Sequence, residues 1–120
     1  VVSDFKTGID IQRIEKHNHL IAEKNFCANE CAYINENDNY EIQRQRFHEI
    51  WTIKEAYLKN IGIGLRKPLN SFEIDLSHGN PRIIDNPGYA ILQIKLDKLY
   101  IMAICSDIRD KEFTMEEVEI

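Results

Sequence analysis

Residues 39 to 61 run without a glycine or a proline, and Gly62 closes the run. This is the strongest helix signal in the chain, and everything else has to be arranged around it. Gly62 stands where a helix C-terminal glycine belongs. The stretch Asn35-Glu36-Asn37-Asp38-Asn39 supplies turn and cap formers at the other end. At 100° per residue, Phe47, Ile50, Trp51, Tyr57, Leu58 and Ile61 fall on one stripe. Lys54 lies in the middle of that apolar stripe. Glu55 lies at its margin, in line with Trp51 one turn before and Lys59 one turn after.

The flanking sequence predicts strands and shorter helices. Thr7 to Ile14 alternates, with Ile9 and Ile11 on one face and Gly8, Asp10, Gln12 and Ile14 on the other. Strand interiors are poor in aspartate, so Asp10 stands out. The polar stretch from Glu15 to Asn37 carries weak helical periodicity through Leu20, Ile21, Phe26, Ala32, Tyr33 and Ile34, and we expect two short helices there. Gly62-Ile63-Gly64-Leu65 and Pro68 turn the chain into a region of strands, expected at Ser71 to Leu76, Arg82 to Ile84, Tyr89 to Leu96 and Leu99 to Cys105. Asp97-Lys98 is the expected tight connection of the last hairpin, although it lacks the glycine such turns favour. The tail from Asp107 onward is acidic and expected to be peripheral. The sum is an α+β fold with an antiparallel sheet packed against a long helix.

With 120 residues, a single domain spanning 1–120 is expected. No apolar run approaches the roughly 20 residues that cross a bilayer, so no membrane role is expected. The formal net charge of −5 argues against nucleic acid, whose binders carry a basic face. Cys27, Cys31 and Cys105 form an odd set with no C-x-x-C spacing, which points to packing roles in a reducing cytoplasm rather than to disulfides or zinc. His17, His19, His48 and His78 have no cage-like spacing and are expected to face solvent. The chain opens Val1-Val2-Ser3, without an initiator Met or a signal peptide, as an excised or processed piece would.

Three features depart from what stability alone selects. Asp10 and Gln12 put a carboxylate and an amide oxygen side by side on a strand face. Lys54-Glu55 and Lys59 put charge on and beside the buried stripe. Gly62-x-Gly64 follows the helix directly. A hard divalent cation such as magnesium takes oxygen ligands, commonly one or two protein carboxylates with phosphate oxygens and waters. Asp10 and Glu55 supply such a pair if strand and helix pack together, and Lys54 and Lys59 then suit donors to a pyrophosphate. Each feature also has a plain reading: an exposed i, i+4 ion pair for Glu55 and Lys59, a snorkelling stem for Lys54, a surface aspartate, and turn glycines.

Together, Gly8-Ile9-Asp10 and Trp51-Thr52-Ile53-Lys54-Glu55-Ala56-Tyr57-Leu58-Lys59 resemble, in order and spacing, the two signature motifs of 4'-phosphopantetheinyl transferases. Gly62-Ile63-Gly64-Leu65, Pro68-Leu69 and Ser71-Phe72 extend the resemblance to the surfactin-synthetase-activating (Sfp) type, over residues 7 to 76 and again in the strand Tyr100 to Cys105. The resemblance implies transfer of 4'-phosphopantetheine from coenzyme A to a serine of an acyl or peptidyl carrier protein, with release of 3',5'-adenosine bisphosphate. It implies Mg2+ on Asp10 and Glu55, with the Gln12 amide oxygen as an uncharged third ligand where larger members often have an acid; phosphate contacts from Lys54 and Lys59, which assist transfer; and Glu55 as the base, with Glu30 second. Sfp-type enzymes are pseudo-dimers of two similar halves with coenzyme A between them, and this chain resembles the C-terminal half. The missing N-terminal half is then the expected partner. Alternatives are the short holo-acyl-carrier-protein synthase type, which assembles as a homo-oligomer, and a non-catalytic carrier-protein-binding module.

Overall fold

In the computed structural model, residues 7–16, 19–62, 67–77 and 79–107 are described. The helix expected at 39 to 61 is present as Tyr40–Ile61, the longest of the three α-helices among the described residues, after His19–Asn25 (α1) and Ala28–Asn35 (α2). We call it α3. Its start is fixed by Asn39, whose Oδ1 accepts the N–H groups of Glu41 at 2.8 Å and Ile42 at 3.3 Å, two of the donors a helix leaves unpaired. Its end is fixed by Gly62, which takes φ +76° and returns its N–H to the Leu58 carbonyl.

Strands Thr7–Arg13 (β1), Tyr89–Lys95 (β4) and Tyr100–Asp107 (β5) form one antiparallel sheet in the order β1-β5-β4. Ile74–Asp75 (β2) and Arg82–Ile83 (β3) form a separate two-stranded ladder. In the larger sheet Gly8 pairs with Cys105 and Asp10 with Ala103, so these four share the face that packs on α3. Ile9 and Ile11 point the other way and are 49% and 53% exposed. The inward face of β1 is therefore its small and polar one. Gly8 explains how: a Cβ built there would lie 2.0 Å from the Ala56 carbonyl oxygen and 2.5 Å from the Asn60 nitrogen. Backbone meets backbone, and only glycine leaves room.

Two buried clusters flank α3. Ile53, Ala56, Tyr57 and Leu58 pack with Phe72, Ile74, Ile83, Tyr89, Ile91, Ala103 and Cys105. Phe47 and Ile50 pack with Ala22, Phe26 and Ile34 of the helical layer. Hydrocarbon is removed from water on both sides of the helix, which makes α3 the beam of the domain.

Three expectations are revised and a fourth is explained. Only Ile74–Asp75 of the strand expected at Ser71 to Leu76 is extended and paired, and Leu69–Ser71 is instead a short 3-10 turn. The Ser71 hydroxyl and N–H both return to the Pro68 carbonyl, a local bond that competes with strand pairing. His48 is buried rather than solvent-facing, its two ring nitrogens bonded to the Arg44 carbonyl (2.7 Å) and the Glu15 N–H (3.3 Å). The Asp97-Lys98 connection does without glycine because Asp97 Oδ1 accepts the N–H groups of Leu99 and Tyr100. The last strand extends past Cys105 to Asp107. Gly64, His17, His78 and the tail beyond Asp107 lie outside the described residues. Among the described residues, no helix is long and apolar enough to cross a membrane.

Candidate functional site

The close approach of β1 to α3 delivers Asp10 to the last turns of the helix. Asp10 is buried, yet both its oxygens are bonded: Lys59 Nζ donates to Oδ1 at 2.7 Å and Gln12 Nε2 donates to Oδ2 at 2.7 Å. Glu55, one turn before Lys59, is the second carboxylate. Its pKa is pushed above its ordinary value of 4.5, first by partial burial and then by the negative charge of Asp10, with Lys59 opposing. Two carboxylates and one ammonium thus converge where strand and helix meet. Beside them a cleft of about 230 Å³ is lined by Gln12, Ile21, Phe47, His48 and Trp51.

Lys54 goes elsewhere. Its side chain is fully buried, and its three N–H donors are spent on Glu30 Oε1 at 2.9 Å, the Phe72 carbonyl at 2.6 Å and the Leu69 carbonyl. The ammonium also lies 4.5 Å from the centre of the Phe72 ring. The reading of Lys54 as a phosphate contact is corrected on this ground, because it has no donor left to give. Glu30 is corrected with it. Besides Lys54, its Oε1 accepts the Cys27 N–H at 2.8 Å, and its Oε2 accepts the Ile74 N–H at 2.7 Å. A buried carboxylate so fully bonded is a tie between α2, α3 and β2, not a base facing a substrate.

Gln12 is expected to offer its amide oxygen as a ligand, and the contact it makes to Asp10 is through the amide nitrogen, so it braces the first carboxylate. Among the described residues, no group of three or more His, Cys, Asp or Glu side chains gathers where it could hold a metal ion. Two adjacent carboxylates with no thiol or imidazole nonetheless fit the hard cations, which complete their shell with phosphate oxygens and water.

Residues 6–105 match the sequence profile of the 4'-phosphopantetheinyl transferase superfamily. The chain belongs to that family. Relatives agree: the chain is 34% identical over 123 residues to 4'-phosphopantetheinyl transferase psf-1 of Bacillus pumilus, covering 99% of this chain and 51% of that protein. It is 43% identical over 74 residues to 4'-phosphopantetheinyl transferase gsp of Aneurinibacillus migulanus, covering 62% of this chain and 31% of that protein. The chain therefore spans about half, or less, of the curated relatives it matches. In fold it is similar to the holo-[acyl-carrier-protein] synthase of Thermotoga maritima, with a TM-score of 0.70 at 20% identity over 89% of this chain and 64% of that one. It is also similar to a holo-(acyl-carrier-protein) synthase from Bacillus anthracis solved in complex with CoA (3',5'-ADP), with a TM-score of 0.63 at 24% identity over 85% of this chain and 94% of that one.

The sequence motifs of the family and its observed geometry meet at Asp10, Glu55 and Lys59. What sequence reasoning missed is the supporting shell. Gly8 was visible as the first residue of the motif, and its position two residues before an inward aspartate was the available signal of close backbone approach. His48 and Asn60, whose Nδ2 donates to the Cys105 carbonyl at 2.8 Å, gave no such signal.

Proposed function

We propose that this chain transfers 4'-phosphopantetheine from coenzyme A to a serine hydroxyl of an acyl or peptidyl carrier protein. The observation that carries the reading is the convergence of Asp10, Glu55 and Lys59 on rigid elements in a chain of this family. Asp10 and Glu55 are the residues that would hold Mg2+, which when bound supplies charge neutralisation at the pyrophosphate. Lys59, its side chain 53% exposed, reaches outward and donates to the phosphate that takes up charge as the bond breaks. Glu55 is half-buried beside Asp10 and Lys59, a setting that suits a carboxylate placed to accept the serine proton. The serine Oγ bonds to the β-phosphorus, the bond from that phosphorus to the bridging oxygen breaks, and 3',5'-adenosine bisphosphate leaves with the electron pair.

The twofold length of the relatives favours a second half that completes the coenzyme A site. A second reading rests on the fold neighbours: the chain covers 94% of one holo-acyl-carrier-protein synthase, which favours completion by further copies of itself. The free thiols of Cys27, Cys31 and Cys105 suit the reducing cytoplasm we propose as its location.

The deciding experiment is intact-mass measurement of an apo carrier protein after incubation with coenzyme A and Mg2+, with the chain alone and with an added N-terminal half. A gain of one phosphopantetheine, lost with Glu55→Ala and with chelator, is expected. Carrier binding without any mass gain in either arrangement refutes transfer and leaves a non-catalytic binding module.

A further inference from the structure

Each oxygen of Asp10 accepts one donor from a neighbouring side chain. Lys59 holds Oδ1 and Gln12 holds Oδ2, each at 2.7 Å. The two donors differ in how firmly they are placed. Gln12 sits two residues from Asp10 on the same strand, half-buried, so its amide turns with the backbone that carries Asp10. Lys59 reaches Asp10 from the last turn of α3 on a flexible four-carbon stem, and its side chain is 53% exposed while that of Asp10 is 6% exposed. The ammonium can leave without disturbing the core. Lys59 also faces Glu55 closely enough to oppose the rise in that carboxyl's pKa, so it serves both carboxylates at once.

We infer that Lys59 is an exchangeable counter-ion: a divalent cation takes the Asp10 oxygen that Lys59 holds, and the freed ammonium passes to the phosphate that accompanies the cation. This rests on the proposed function for the cation and the phosphate, and adds to it a coupling between them. A cation alone has to break the Lys59–Asp10 pair and leave the ammonium facing a doubly charged neighbour. With a diphosphate present the ammonium has a new acceptor, so cation and phosphate bind better together than either does alone. Coupling of this kind is reciprocal. Gln12 stays with Asp10 throughout and keeps the carboxylate aimed at α3.

The sign of the prediction is unusual for a binding-site residue. Removing Lys59 strengthens cation binding in the absence of phosphate, because a unit charge a few ångströms from a doubly charged ion costs on the order of a tenfold change in affinity even with water-like screening. In the presence of phosphate the same removal weakens it. The experiment is Mn2+ binding to the full chain, followed by electron paramagnetic resonance and by calorimetry, for the native protein and Lys59→Ala, with and without inorganic pyrophosphate as the probe. About tenfold tighter Mn2+ binding by Lys59→Ala without pyrophosphate is expected, with the order reversed when pyrophosphate is added. Alongside, the Cε and Nζ resonances of Lys59 in the native protein should shift when Mg2+ is added alone. Equal affinity of the two proteins without pyrophosphate, or Lys59 resonances unmoved by Mg2+, overturns the exchange while leaving the proposed transfer standing. Mn2+ binding to neither protein, with or without pyrophosphate, overturns both.

Discussion

Gly8→Ala tests the contact on which the site depends. The added Cβ would lie 2.0 Å from the Ala56 carbonyl oxygen, 2.5 Å from the Asn60 nitrogen and 3.0 Å from the Asn60 Cα, all backbone atoms that no rotamer change can move. Ordinary contact begins near 3.4 Å, so β1 and α3 must part by 1.4 Å, the difference between 3.4 and 2.0 Å. The helix is wedged between two buried clusters, whereas β1 pairs only with β5 among the described residues, so the strand is what gives way. Over-packing of this kind costs about 1–3 kcal/mol when side chains can adjust, and backbone-on-backbone contact belongs at the upper end.

A loss of about 3 kcal/mol in a domain of this size lowers the melting temperature by roughly 10–15 °C. Asp10 rides on the same face two residues on, so its 2.7 Å bond to Lys59 is broken by a displacement of that size. The assay is thermal unfolding by circular dichroism, paired with Mn2+ binding at a temperature where the variant is still folded. A variant that melts within about 2 °C of the native protein and binds Mn2+ as well would show that the strand and helix are not in backbone contact, and the account of the site would fall with it.

Three further outcomes follow from the same contacts. Lys54→Met leaves the Glu30 carboxylate and two carbonyls buried without their donor, and should cost about 3–5 kcal/mol in chemical denaturation, whereas the double variant Lys54→Met/Glu30→Gln should regain part of that loss; a single variant as stable as the native chain refutes the tie. Glu55→Gln should raise the melting temperature at pH 7.5: the folded-state pKa lies above 4.5, so stability is greatest below that value and falls as pH rises through the folded pKa, and the gain from removing the charge should vanish at acid pH. A melting curve comparison across pH 4 to 8 that finds no such convergence counts against the carboxylate pair. Asn39→Ala should cost about 1 kcal/mol, measured by urea unfolding, with no change in Mn2+ affinity, since the cap lies at the far end of α3 from Lys59.

The helix was legible because its evidence is local. An absence of glycine and proline, a capping asparagine and a closing glycine act within a few residues of where they stand, and Tyr40–Ile61 follows the expected boundaries to within one residue at its start. The face of β1 was half legible. Alternation separated Ile9 and Ile11 from Gly8, Asp10 and Gln12, but hydrophobicity alone does not say which set turns inward, and here the isoleucines are the outer set. The decision lies in a tertiary distance, the space for a bare backbone against Ala56 and Asn60, which no window of sequence contains. The expected strand at Ser71 to Leu76 failed for a related reason. The Leu69 and Phe72 carbonyls are bonded by Lys54, a residue on another element, and the Ile74 N–H by Glu30 on a third.

Lys54 and Lys59 show why the motif as a string of letters underdetermines the chemistry. Five residues apart, they are rotated by about 140° around the helix, which sends them to opposite sides of it. On one side the ammonium finds a buried carboxylate, two carbonyls and an aromatic ring, and its charge ties α2 to the segment before β2. On the other it finds an aspartate presented by an edge strand at the rim of the sheet and stays largely in water. Burial decides their fates: a charge with every donor satisfied inside the protein holds the fold, and a charge left half in water is free to change its partner. The role proposed for Lys59 therefore depends on Lys54 being spent on structure, because the buried tie fixes the rigid helix from which Lys59 reaches out.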